Sequence, residues 1–289
     1  MSAGRCRFRN SAACLLLLGL ALLVAGCGEG DSASSGAGDF AAEASHVHGL
    51  GVNPTDGSLF IATHGGLFRA DSGSEAPSRV GKAGYDLMGF TVAGPDRFFA
   101  SGHPPLDEAH SPHLGLVQSS DGESWEEVSL GGRADFHVLR YSGGAIYGFN
   151  GLDGRLMVSA DEGASWRSAR VPAPLFDLAV DPQDPTHIIA ATEGGLFEAV
   201  SSGKKWKQIE GPLGLLAWPD PTSLFLVDGE GRVSVSEDRG RSWRSRGALP
   251  QTPTVLYAAS ATELYAAMPE GAVLDSSDGG RSWKPRVQP

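Results

Sequence analysis

Five tryptophans, Trp125, Trp166, Trp206, Trp243 and Trp283, stand 41, 40, 37 and 40 positions apart. A period near forty marks a chain built from repeated supersecondary units, and it limits the available folds more than any other feature here. Three of the tryptophans close the string S-x-D-x-G-x-S-W, at 159–166, 236–243 and 276–283. A copy one residue short runs over 119–125, and a worn copy at 201–206 keeps its Trp but has lost the Asp. Each residue of this box has a physical task. The carboxylates of Asp121, Asp161, Asp238 and Asp278 are suited to accept backbone N–H groups two or three residues on, which closes a turn. Gly permits positive φ where the chain reverses. Trp125, Trp166, Trp243 and Trp283 each bury a large ring with one N–H to satisfy. The box is therefore read as a structural fastening.

The segments between boxes share one frame. In the unit over 175–209, Phe176–Val180 reads as an inner strand and an Asp-Pro turn follows it. Then come strands at 187–191 and 196–199, with Glu193-Gly194-Gly195 between them, and a last strand begins at Trp206. All are short, β-like and bounded by Gly, Pro, Asn or Asp. Six such units fill residues 46–289. They predict an all-β, six-bladed β-propeller of four-stranded antiparallel blades. How such a ring closes is left open, because each unit supplies four strands of its own.

The N-terminus has a different character. Arg5, Arg7 and Arg9 precede an apolar run of about fourteen residues, too short to span a membrane and suited to an export signal over 1–26. Val24-Ala25-Gly26-Cys27 resembles a bacterial lipobox. That resemblance implies cleavage before Cys27, lipidation of its thiol, and anchorage to a membrane at the cell surface or in the periplasm. The other cysteines, Cys6 and Cys14, lie within the signal, so the exported chain would have no disulfide. Residues 27–45 are small, polar and acidic and read as a flexible tether, with order beginning at His46. The formal net charge is −11 before cleavage, and loss of three arginines makes the chain more acidic still. Nucleic acid is a poor partner for such a surface. A monomer with a protein or glycan partner is the expectation.

The boxes and the four-strand frame resemble the Asp-box (BNR) repeat proteins, which include sialidases and sortilin-type receptors, over essentially all of 46–289. The stretch from His46 to Pro54, with Thr63-His64-Gly65-Gly66-Leu67-Phe68, resembles small exported bacterial Asp-box lipoproteins labelled as glycosyl hydrolases. The resemblance implies the propeller fold strongly and an activity weakly. Sialidases carry an Arg in a Phe-Arg-Ile-Pro-like motif, and here neither Phe8-Arg9 nor Phe68-Arg69 continues that way.

The blade phase sorts the loops. Box turns and the turns after first strands share one face; the loops between second and third strands, and those entering first strands, share the other. Seven of the eight histidines fall between 46 and 137, and all map to that second face. A metal pool of His48, His64, His103 and His137 follows, with Asp86 or Glu193 completing the shell of a divalent ion. His46, His48, His64, His103 and His137 are the candidates for ligand binding. The insertion over 101–113 holds His103, Asp107, Glu108, His110 and His113 and reads as a lid or contact surface. Glycosidase chemistry needs two facing carboxyl groups. Asp86, Asp135 and Glu193 are candidates for it, with Asp177, Glu230 and Glu270 also on the rim, and Tyr85 beside Asp86 would serve a sialidase-like nucleophile. Three readings stand: a ligand- or partner-binding module, a sialidase-like glycoside hydrolase, and a metal-binding propeller with a His-rich mouth.

Overall fold

The computed structural model describes residues 40–41, 46–82, 84–105 and 111–289. The stretch read as an export signal, Cys27, and the stretch read as a tether apart from residues 40–41 lie outside the described residues, as do Asp107, Glu108 and His110. Six four-stranded antiparallel sheets form a six-bladed β-propeller. The blades cover 47–80, 86–129, 136–170, 175–209, 214–248 and 255–287, and within each the strands pair in chain order. The six inner strands stand side by side around the axis, the sixth beside the first. Second strands such as Leu59–Thr63 and Ile188–Thr192 are buried along their whole length, which explains their unbroken apolar runs. Outer strands such as Glu126–Ser129 and Arg167–Arg170 each carry two charged residues exposed to solvent, which discourages pairing with another sheet.

The core is divided among the gaps between blades. Each apolar cluster joins two neighbouring blades, and each box Trp packs into the cluster that its blade shares with the preceding one. Trp125 lies between blades one and two, Trp166 between two and three, and Trp206 between three and four. Trp243 and Trp283 continue the series. Blade one has no box Trp. The cluster between blades six and one instead contains Phe40, fully buried and edge-on to Phe68 at a centroid distance of 5.1 Å. Phe40 comes from the stretch read as tether, so burial starts before His46.

Among the described residues, no strand crosses from the last blade to the first. The ring closes by side chains. Arg286, on the outermost strand of blade six, donates to the carbonyls of Ala70, the end of the third strand of blade one, and of Asp71 and Ser74 in the turn that follows it. Further ties join other neighbours: Asn53 and Thr55 donate to Asp96, Arg97 pairs with Glu162, and Arg239 pairs with Asp181.

The boxes are self-contained hydrogen-bonded turns. In the box at 276–283, Ser276 Oγ donates to Asp278 Oδ1 (2.8 Å) and accepts from Gly280 N (2.9 Å). Asp278 also accepts the Ser282 amide (3.0 Å) and hydroxyl (2.6 Å). The boxes at Asp161 and Asp238 repeat the pattern. The carboxylate thus reaches an amide four residues on, one further than the turn chemistry predicts; Asp121, in the short copy, reaches two and three on.

These donors stabilise the charged carboxylate. The Ser165 and Ser242 hydroxyls, with the amides behind them, pull Asp161 and Asp238 down to about 2, and the Ser282 hydroxyl and amide hold Asp278 well below the usual carboxylate range. A carboxylate depressed on folding contributes stability above its unfolded value of about 3.9, and that contribution disappears as pH falls through the folded value. The melting temperature is therefore expected to fall between about pH 4 and pH 2, and the fall should be shallower in an Asp161→Asn/Asp238→Asn/Asp278→Asn chain. Parallel curves for the two proteins over that window would contradict this account.

Candidate functional site

The blade phase brings the histidines together. His48 lies on the first strand of blade one (Val47–Val52), and His64 in the turn between its second and third strands. Asp86 opens the first strand of blade two (Asp86–Gly94) and faces His103, the last residue of the strand beside it, in register. This pairing needs a glycine at 102: its φ is +138°, and a Cβ there would stand 1.9 Å from the Asp86 carbonyl oxygen. Asp135 precedes the first strand of blade three, where the Asn150 side chain accepts its amide and Gly151 donates to its carbonyl.

Two β-bulges aim the rings. Pairing in blade one skips from Val47 to Gly49, which leaves His48 out of the ladder. In blade three it skips from Phe136 to Val138, which does the same for His137. A bulged residue turns from the regular alternation, a recurrent device beside functional sites. Blade four bulges at Phe176, whose ring is 51% exposed.

The result is two adjoining groups. In the first, Asp86 Oδ2 lies 3.0 Å from His64 Nδ1, and Asp86 Oδ1 lies 3.7 Å from His48 Nε2. In the second, Asp135 Oδ2 lies 3.4 Å from His103 Nε2 and 3.9 Å from His113 Nδ1. His48, His64 and Asp86, and separately His103, His113 and Asp135, each bring three ligand atoms within 4.8 Å of one another. His103 touches both groups, since its Nδ1 is 3.1 Å from Asp86 Oδ2. Four atoms here are buried with no hydrogen-bond partner among the described residues: His48 Nε2, Asp86 Oδ1, His113 Nδ1 and Asp135 Oδ1. A buried unbonded polar atom is costly, and separations of 3.7 and 3.9 Å are too long for hydrogen bonds. Two atoms about 2.0–2.1 Å from one tetrahedral ion stand about 3.3 Å apart, a spacing matched by the contacts of 3.0, 3.1 and 3.4 Å and exceeded by the two longer ones.

Charge follows the same geometry. Burial lowers the His48 pKa and favours the neutral, lone-pair-bearing ring. His137 donates to Asp135 Oδ2 at 3.0 Å, and this bond raises the imidazole pKa. Burial works to raise Asp135, but the His137 hydrogen bond and the neighbouring imidazoles together hold its carboxyl below the usual value. His137 therefore orients Asp135 and stands outside both three-residue groups. His46 lies at the edge, its ring centroid 5.9 Å from that of His64.

The other candidates are placed elsewhere. Glu193 is exposed on blade four and belongs to neither group. Tyr85 packs against the apolar cluster between blades one and two. Asp177 is no rim acid: it is buried, accepting from Arg140, from the Leu178 amide and from the Leu216 amide. Phe176 is exposed, and Trp218 lines the channel. His187 pairs with Glu198 and Asp181 at its own turn. His113, read before only as part of the insertion, is the ligand-type residue that position alone did not single out.

A cavity of about 340 Å³ follows the channel and is lined by all six inner strands, with Tyr141, Trp218 and Tyr257 among its walls. A second, of about 310 Å³, adjoins the histidine groups through His113 and is also lined by Tyr85, Trp125 and Glu127.

Known structures share this fold at low identity. A structure titled as YCF48 bound to D1 peptide is 14% identical with a TM-score of 0.54, over 84% of this chain and 81% of that one. A chain of a nidogen/laminin complex gives a TM-score of 0.59 at 13% identity, over 80% and 93%. An ancestral GH74 enzyme gives 0.53 at 14% identity, over 80% of this chain and 36% of that one. No family model matches the sequence, and no curated protein matches it. At these identities the likeness is one of fold.

Proposed function

We propose that this chain is an exported, lipid-anchored propeller of the Asp-box type whose work is to bind, with a divalent transition-metal ion at the channel mouth as its characteristic ligand. The observation behind this reading is the facing of two buried, unbonded atoms, His48 Nε2 and Asp86 Oδ1, with a second unbonded imidazole nitrogen, His113 Nδ1, turned toward the Asp135 carboxylate. Imidazole-rich sites with a carboxylate suit zinc, copper or nickel better than calcium or magnesium. The basic, apolar and Gly26-Cys27 pattern supports export and anchorage. The peptide and laminin named with two structural neighbours accord with a protein partner. Asp86 and Asp135 both face imidazoles, and Tyr85 packs on the core, so a sialidase-like site gains no support from them.

The test is metal analysis of the chain purified without a polyhistidine tag and equilibrated with Zn(II). At least one equivalent should remain after dialysis. Asp86→Asn/Asp135→Asn should weaken binding by roughly 100-fold or more, and His137→Ala by roughly 10–100-fold. A metal-free protein at micromolar Zn(II) would sink the proposal.

A further inference from the structure

We infer that the centre holds two ions, with His103 as the imidazolate bridge between one bound by His48, His64 and Asp86 and another bound by His113 and Asp135. This rests on the metal-binding reading and goes beyond it in the number of ions and in the role of His103. The two nitrogens of this one ring point at different carboxylates, Nδ1 at Asp86 (3.1 Å) and Nε2 at Asp135 (3.4 Å).

A neutral imidazole has one N–H and one lone pair. It can donate to one of these carboxylates, but its other nitrogen then faces an oxygen with no proton between them. Two arrangements relieve that conflict. A second proton makes an imidazolium held between two carboxylates. Alternatively, a cation sits beside each nitrogen. The proton satisfies His103 alone and leaves His48 Nε2, Asp86 Oδ1, His113 Nδ1 and Asp135 Oδ1 as they stand, unbonded and buried. Two cations engage both groups at once, one relieving His48 Nε2 and Asp86 Oδ1 and the other relieving His113 Nδ1 beside the Asp135 carboxylate. Charge agrees: two carboxylates and one imidazolate bring three negative charges to four positive ones.

When the second ion enters, the remaining N–H bond of His103 breaks, a nitrogen–metal bond forms, and the proton passes to the buffer. No oxidation state changes. The ring is held for this task on both sides. The strand register with Asp86 fixes its position, and Gly102 lets the strand reach that position.

The probe is Cu(II), added to the full-length chain purified without a tag, with bound copper counted by equilibrium dialysis and spins counted by electron paramagnetic resonance at low temperature. Two equivalents are expected. The signal should grow with the first and fall by more than tenfold per copper as the second couples to it through the ring. His103→Ala and His103→Gln, each checked for folding by circular dichroism, should show the full uncoupled signal for whatever copper they bind. One equivalent in the unsubstituted chain, or two with an undiminished signal, overturns the bridge and leaves the metal site standing. Coupling that persists in His103→Ala also overturns it. No bound copper removes both proposals.

Discussion

Replacing Asp177 by alanine is expected to cost about 3–5 kcal/mol, the range for breaking a buried, hydrogen-bonded ion pair by removing one partner. The carboxylate belongs to blade four. It takes the Arg140 guanidinium of blade three at 2.5 Å and the Leu216 amide of blade five at 2.9 Å, so it joins three consecutive blades near the axis. Removal leaves two amides without their acceptor and a positive charge facing the channel. Asp177→Asn keeps an acceptor and the shape but loses the charge, and should fall between the two. Urea unfolding provides the measurement: the midpoint should drop with little change in slope. A loss under about 1 kcal/mol for the alanine variant would mean that Arg140 and the amides are satisfied some other way.

Phe40→Ala should be nearly as damaging, at about 3–5 kcal/mol, the usual range for emptying a fully buried phenylalanine site. Phe40 fills the gap between blades six and one, the gap without a box tryptophan. A chain starting at His46 should therefore melt well below one starting at residue 38, although both contain all twenty-four strands. Phe176→Ala is the control, because its half-exposed ring supports no packed cluster and its loss should fall within about 0.5 kcal/mol. Equal melting temperatures for the two truncations would remove Phe40 from the account of closure.

The blade count was legible because its signal is local. Asp, Gly and Trp each act within a few residues of themselves, and a turn fastened by its own side chains leaves its pattern in the sequence at every repeat. The gathering of His48, His64 and His103 was legible at one remove, since the boxes set the phase and the phase sorts the loops. Contacts set by distant partners were not. The bulges at His48 and His137 depend on one residue more in a strand than in its neighbour, which no composition announces. Asp177 and Asp86 occupy comparable entry positions, yet one meets Arg140 and backbone amides while the other meets three imidazoles. Glu193 precedes its glycines as His64 does, but blade five, the next in the ring, carries no histidine to meet it. Phe40 sits in a stretch whose composition reads as linker, and one ring among small polar residues carries no period.

The closure by Arg286 and Phe40 has a topological consequence. In a propeller whose last sheet borrows a strand from the first, the chain itself ties the circle shut, and cutting elsewhere moves that knot. Here the strands of every sheet follow one another in sequence, and the join between blades six and one, like the other five, is made by side chains, with Phe40 where the others have a tryptophan. The origin of the circle is therefore arbitrary. A gene permuted to begin at another blade is therefore expected to specify the same six strand orders, provided Phe40 travels with blade one.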